Sequence, residues 1–193
     1  MKAINPSSKF EEALVYASIV HAGQTRKGTR VPYLAHLLGV ASIVLEFGAD
    51  EDEAIGALLH DAGEDQGGKA RIDDIRVRFG DKVADIVQGC SDTLVVPKPS
   101  WRKRKEDYVA HLSRASASVR LVSAADKLHN AQSILRDHRD VGEAVWSRFS
   151  AKKGETAWFY RAVVEALRQA DANRLVVELD RSVKELECIA SAT

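Results

Sequence analysis

Sulfur is scarce in this 193-residue sequence, which holds Cys90, Cys188 and a single methionine. Two thiols so far apart exclude a thiolate metal knuckle and a disulfide framework, and leave at most one bridge open. No apolar run approaches the roughly 18 residues of a membrane-spanning helix, and no signal-like pattern opens the chain, so a soluble cytoplasmic protein is expected. Neither sign of charge prevails: 28 Lys plus Arg stand against 28 Asp plus Glu. No global field therefore argues for nucleic acid or a membrane surface as partner. Strand-like alternation, internal repeats and low-complexity tracts are also missing, which leaves an all-α chain long enough to bury a sizeable core without disulfides.

What is present is a series of helix signals. Ser8-Lys9-Phe10-Glu11 reads as a capping box opening a helix to about residue 22, and Asp50 with Glu53 marks another start. Residues 23–32 form a basic, Gly-containing loop, and 54–65 wind as one helix. Gly67-Gly68 closes that segment, and shorter helices over 72–79 and 82–90 are separated by Gly80. Pro97 and Pro99 interrupt the chain before Ser100, which caps a helix from Trp101 to about Arg114. Residues 66–71 and 93–100 are the segments expected to be mobile. Beyond about Arg139 the pattern weakens: 146–154 is a loop or broken helix, and 157–170 and 173–189 are amphipathic helices. Trp158, Phe159 and Tyr160 are expected to pack in a core or at an interface between copies, while Lys152, Lys153 and Tyr160 stay open as the edge of a pocket.

The chemistry lies on apolar segments. His60 and Asp61 end the run Ala54-Ile55-Gly56-Ala57-Leu58-Leu59-His60-Asp61, and Asp61 falls inside its apolar arc. A carboxylate facing a core costs several kcal/mol or more unless it is paired, protonated or bound to a cation. A capped helix end is the plainer reading of this pair. His36, Val40, Ile43 and Phe47 recur at helical spacing, which turns the His36 imidazole to a buried face as a core histidine or a ligand. Asp126 shares a second face with Val119, Val122 and Asn130 on a helix whose main stripe is Leu121, Ala124, Ala125, Leu128 and Leu135. Together, His36, His60, Asp61 and Asp126 offer two imidazoles and two carboxylates from three helices. Nitrogen and oxygen donors without thiolate suit manganese, iron, zinc or magnesium, and the donor set does not rank them.

This H…HD…D order resembles the HD phosphohydrolase superfamily, and the surrounding words resemble the hydrolase domain of RelA/SpoT proteins. Those words are His21-Ala22-Gly23-Gln24-Thr25-Arg26-Lys27, Val31-Pro32-Tyr33-Leu34-Ala35-His36, Ala57-Leu58-Leu59-His60-Asp61-Ala62-Gly63-Glu64-Asp65 and Ala124-Ala125-Asp126-Lys127-Leu128-His129-Asn130. Phe79-Gly80-Asp81-Lys82-Val83-Ala84 and Arg102-Lys103-Arg104-Lys105 also fall where that family has similar words. The likeness covers about 8–136, with the helices near 157–189 beyond it, and implies one HD-domain bundle over 1–193. There is no room for a synthetase domain, so the chain looks like a small stand-alone alarmone hydrolase.

The resemblance implies a metal-dependent 3′-pyrophosphohydrolase acting on guanosine 3′,5′-bis(diphosphate), a small-molecule partner, with a homo-oligomer left open. It implies that Glu64 takes a proton from or orients the attacking water, assisted by Asp65. It also places Arg26, Lys27, Tyr33 and Asn130 against the substrate, Arg26 and Lys27 stabilising charge on the phosphoryl oxygens and Tyr33 stacking on or supporting ribose. Of the basic run 102–105, at most two residues of a helix face one ligand. Related activities on adenine alarmones or the 2′-phosphate of NADPH, and a binding bundle without turnover, remain alternatives. Two positions depart from the family: Leu37 where Pro is common, and Gly63 where a β-branched residue is usual.

Overall fold

Capping side chains decide where the helices begin. In the computed structural model, which describes residues 7–192, helix α1 (Ser8–Val20) is capped by Ser7, whose hydroxyl accepts the Lys9 N–H at 3.1 Å. The cap thus lies one residue before the Ser8 expected from the capping-box pattern. Helix α2 (Leu34–Glu46) follows a loop in which Thr25 pairs with Pro32 as an isolated bridge; no strand occurs among the described residues. Helix α3 (Glu51–Leu59) opens on the expected capping box: Asp50 accepts the Glu53 N–H at 3.0 Å, and Glu53 accepts the Asp50 N–H at 2.8 Å.

The single helix expected over 54–65 is broken. Helix α3 ends at Leu59, and a short helix α4 (Ala62–Asp65) starts after His60 and Asp61, both of which keep α-region dihedrals. Asp61, expected inside the apolar arc, is instead half-buried at this turn and lines the cavity described below. Gly67 and Gly68, at φ 127° and 60°, make the following turn, and α5 (Gly68–Phe79) begins at once. Residues 66–71 are therefore ordered rather than loose, with Arg71 Nε donating to the Gln66 carbonyl at 2.8 Å.

Helix α6 (Asp81–Cys90), a helix-free stretch through residues 91–100, and α7 (Trp101–Leu112) come next, with Ser100 accepting the Lys103 N–H at 3.4 Å as the α7 cap. The long α8 (Ala117–Val141) has 25 residues, which is roughly 37 Å at 1.5 Å per residue. A 3-10 segment (Gly142–Arg148) leads to α9 (Lys153–Ala170), which starts four positions before the expected 157, and to α10 (Arg174–Ser191), capped by Asn173.

Helix α8 is central. It packs against α2, α3, α6, α9 and α10, and Val122, Ala125, Leu128 and Ala131 along it are fully or almost fully buried. Leu37 and Val40 of α2 and Leu58 and Leu59 of α3 are completely buried; each such side chain is worth about 1.5–3 kcal/mol of transfer free energy. Leu37 therefore serves the core. Gly63 is also buried, and a Cβ there would meet Ile72 Cδ1 at 2.6 Å, so Ile72 fills the volume a branched residue would take. Cys90 is buried, Cys188 is exposed and both are free, so the bridge left open does not form. No described helix is long and apolar enough to cross a membrane.

Candidate metal centre and active site

Three elements deliver the four expected donors to one place. Helix α2 brings His36, the turn between α3 and α4 brings His60 and Asp61, and α8 brings Asp126. Asp61 Oδ2 lies 3.0 Å from His60 Nε2 and 3.5 Å from His36 Nε2. Asp126 Oδ1 lies 3.3 and 3.6 Å from the Nε2 atoms of His36 and His60. His36, His60 and Asp126 are buried, with one donor atom from each within 4.8 Å of the others. Both Nε2 atoms are buried without a hydrogen-bond partner. These spacings suit a divalent cation, because neighbouring ligands bonded at about 2.1 Å stand about 3 Å apart. Two imidazole nitrogens facing two carboxylates form a donor set suited to a divalent cation.

Each donor is oriented from behind. His60 Nδ1 donates to the Ala57 carbonyl at 2.8 Å, which leaves Nε2 with its lone pair facing the cluster. His36 Nδ1 lies 2.9 Å from His129 Nδ1; with His36 donating, its Nε2 is likewise free. Gly39 makes this possible, since a Cβ there would come 2.3 Å from His129 Nε2. The Tyr33 hydroxyl donates to Asp61 Oδ2 at 2.6 Å, and its ring stacks on His21 at 5.3 Å. Asp126 Oδ2 accepts from Lys127, and its Oδ1 accepts from Asn130.

The electrostatics carry the same message. Burial by itself would depress the His60 imidazole, but the charges of Asp61 and Asp126 outweigh it and raise its pKa well above normal. Burial likewise opposes ionisation of Asp61 and Asp126, yet the charge of His60 and the nearby His36 imidazole hold Asp61 well below the usual range, and Lys127 with the two imidazoles does so for Asp126. The cluster favours positive charge at its centre.

The donors open on a cavity of about 680 Å³. Arg26, Lys27, Tyr33, His36, Asp61, Glu64, Asp65, Asp126 and Asn130 all line it, whereas His60 is sealed beneath the surface. Glu64 accepts the Asp92 backbone N–H at 3.0 Å and the Lys98 ammonium at 3.2 Å. Asp65 accepts from Gln24 at 2.8 Å, and burial followed by the Asp61 charge raises its pKa. Arg26 Nη2 donates to Asn130 Oδ1 at 2.6 Å, so Asn130 links the basic loop to Asp126. Lys27 is exposed at the cavity wall. The Tyr33 hydroxyl is taken up by Asp61.

Other lining residues carry no signal that sequence reasoning used. His129 sits one turn beyond Asp126 and faces the same side, a spacing that could have marked it. In the basic run, Lys105 lines the cavity and Arg104 is held by Asp92, while Arg102 and Lys103 pair outward with Glu106 and Asp107. Of the four only Lys105 lines the cavity, within the limit of two that helical geometry sets. Phe159 and Tyr160 are buried and also line the cavity; Lys152 and Lys153 do not.

Comparison with known proteins gives a consistent picture. The HD domain family matches residues 13–156. A guanosine-3′,5′-bis(diphosphate) 3′-pyrophosphohydrolase of Drosophila melanogaster is 32% identical over 181 residues, covering 92% of this chain and 94% of the fly protein. Its counterpart of the same description in Xenopus tropicalis is 36% identical over 139 residues, covering 70% of this chain and 73% of that protein. Among solved structures, a metazoan orthologue of SpoT, described as hydrolysing ppGpp with a role in starvation responses, superposes with a TM-score of 0.75 at 28% identity, covering 95% of this chain and 98% of that one.

Proposed function

The chain belongs to the HD-domain family, and from that premise we propose that it hydrolyses guanosine 3′,5′-bis(diphosphate) at the ribose 3′ position, releasing diphosphate and leaving GDP, or GTP from the pentaphosphate. The observation that carries this reading is the pair of buried, unpartnered Nε2 atoms of His36 and His60 facing Asp61 and Asp126 at the cavity floor. These four residues would hold a divalent ion, which we take to be Mn2+, and when bound it would supply Lewis acidity and acidify water. We place this activity in the cytoplasm.

Residues of the chain do the rest. Glu64, aimed by the Asp92 N–H and Lys98, takes the proton of the attacking water. Asp65, held by Gln24, positions that water from the second side. The water oxygen bonds to the phosphorus attached to the 3′ oxygen, and the bond from that phosphorus to the 3′ oxygen breaks. The ribose oxygen leaves with the electron pair and gains a proton, and inorganic diphosphate departs. Arg26 and Lys27 meet the charge that spreads over the phosphoryl oxygens as the bond breaks. Asn130 holds Arg26 at that position. Tyr33 acts by fixing Asp61 through its hydroxyl, while its ring, stacked on His21 and with Arg26 over it at 5.7 Å, supports the guanidinium rather than the sugar.

The test is product analysis with purified protein and manganese. One diphosphate per nucleotide is expected, together with loss of turnover on chelation and its return on adding the ion. Equal rates with and without metal, or release of single phosphates only, would overturn the reading.

A further inference from the structure

Beyond the metal donors, two ammonium groups are built into the cavity wall with no assigned task. Lys105 of α7 and Lys127 of α8 both line the cavity, with side chains only 18% and 14% exposed. They converge on one aromatic ring: Lys105 Nζ lies 4.7 Å and Lys127 Nζ 5.9 Å from the centre of Phe159. Lys127 is also 5.1 Å from the centre of the Tyr108 ring, whose hydroxyl is committed to Ser123.

Each lysine spends one donor on a carboxylate, Lys105 on Asp92 at 3.0 Å and Lys127 on Asp126. An ammonium has three donors, so each keeps two. Asp92 is shared with Arg104, and one carboxylate therefore faces two cations. Asp92 and Asp126 each engage only part of the two ammonium groups, and a further anion between them would meet donors from both. The two anchors also fix where that anion sits. Lys127 grips the outer oxygen of the carboxylate whose inner oxygen faces the imidazoles, and Lys105 hangs from the residue whose N–H aims Glu64.

We infer that Lys105 and Lys127 form a subsite for the terminal phosphoryl of the substrate's 3′-diphosphate, so that the cavity selects a diphosphate over a monophosphate at that position. This rests on the proposed reaction for its substrate, but the anion chemistry can be measured without it. The attacked phosphorus lies over the metal donors, and the second phosphoryl joined to it reaches the lysine pair one carboxylate away. After cleavage the same pair retains inorganic diphosphate until release.

The test is calorimetric binding of inorganic pyrophosphate and orthophosphate to the manganese-loaded protein, with the ion in excess, for the parent, Lys105→Met and Lys105→Arg. The parent should bind pyrophosphate about tenfold or more tighter than orthophosphate, as expected for added charge-assisted hydrogen bonds. Lys105→Met should lose most of that ratio while changing orthophosphate affinity less than about twofold, and Lys105→Arg should restore it. A parent that binds both anions equally overturns the subsite whatever the variants do, and so does an equal loss for both anions in a folded Lys105→Met. Pyrophosphate selectivity with no cleavage of guanosine 3′,5′-bis(diphosphate) would instead sink the reaction and leave the subsite standing.

Discussion

The floor and the far wall of the cavity are opposite electrostatic problems. On the floor, His36, His60, Asp61 and Asp126 present lone pairs and negative charge to one point, each locked by a partner behind it. On the wall, Lys105 and Lys127 present ammonium groups, each held by one carboxylate. The floor suits a cation and the wall suits an anion, and a phosphate ester with a divalent ion carries both.

Substitutions can break or sharpen this contrast. The largest effect belongs to Asp61→Ala, which opens the floor. Bound manganese and its thermal stabilisation should vanish together, and turnover should fall by at least about a thousandfold, because the several kcal/mol supplied by the ion are lost. Full manganese occupancy with unchanged turnover would remove Asp61 from the donor set.

Glu64→Gln tests whether floor and base are separable. Manganese content should match the parent while kcat drops about a hundredfold or more; loss of the ion as well would make Glu64 a ligand. A step smaller is His129→Leu, which removes the group behind His36. Metal affinity should fall about 10–100-fold, with kcat largely recovered at saturating manganese. A deficit that persists at saturation would show a role nearer the reaction than positioning. The smallest effect should come from Asp50→Ala, remote from both ends. Losing its capping box should cost about 1 kcal/mol and about 2–4 °C in Tm, with kinetics and pyrophosphate binding intact. A kinetic change there would mean that floor and wall are not insulated from the helix starts.

Much of this was visible in one dimension. The Asp50–Glu53 box, the Ser100 cap and the inward faces of His36 and Asp126 follow from residue types at helical spacing, and all are found. The turn at His60–Asp61 was not visible, because the run from Ala54 to Asp65 has the composition of one helix. Its interruption accompanies a hydroxyl from Tyr33, 28 positions away, gripping Asp61. The aromatic run Trp158-Phe159-Tyr160 was readable as packing but not as the surface under two lysines, since α7 and α9 share no pattern that announces their contact.

Period and capping chemistry, both local, settled the helical class, the starts at Asp50, Ser100 and Asn173, and the side of the helix on which His36 and Asp126 sit. They fix the direction of a side chain about its own axis. Which group lies opposite is a different quantity, set by how whole helices pack: His36 meets His129 across 93 positions because Gly39 leaves room for the ring. Convergence of the four donors, and the meeting of Lys105 with Lys127, belong to that second kind, decided by close packing in three dimensions.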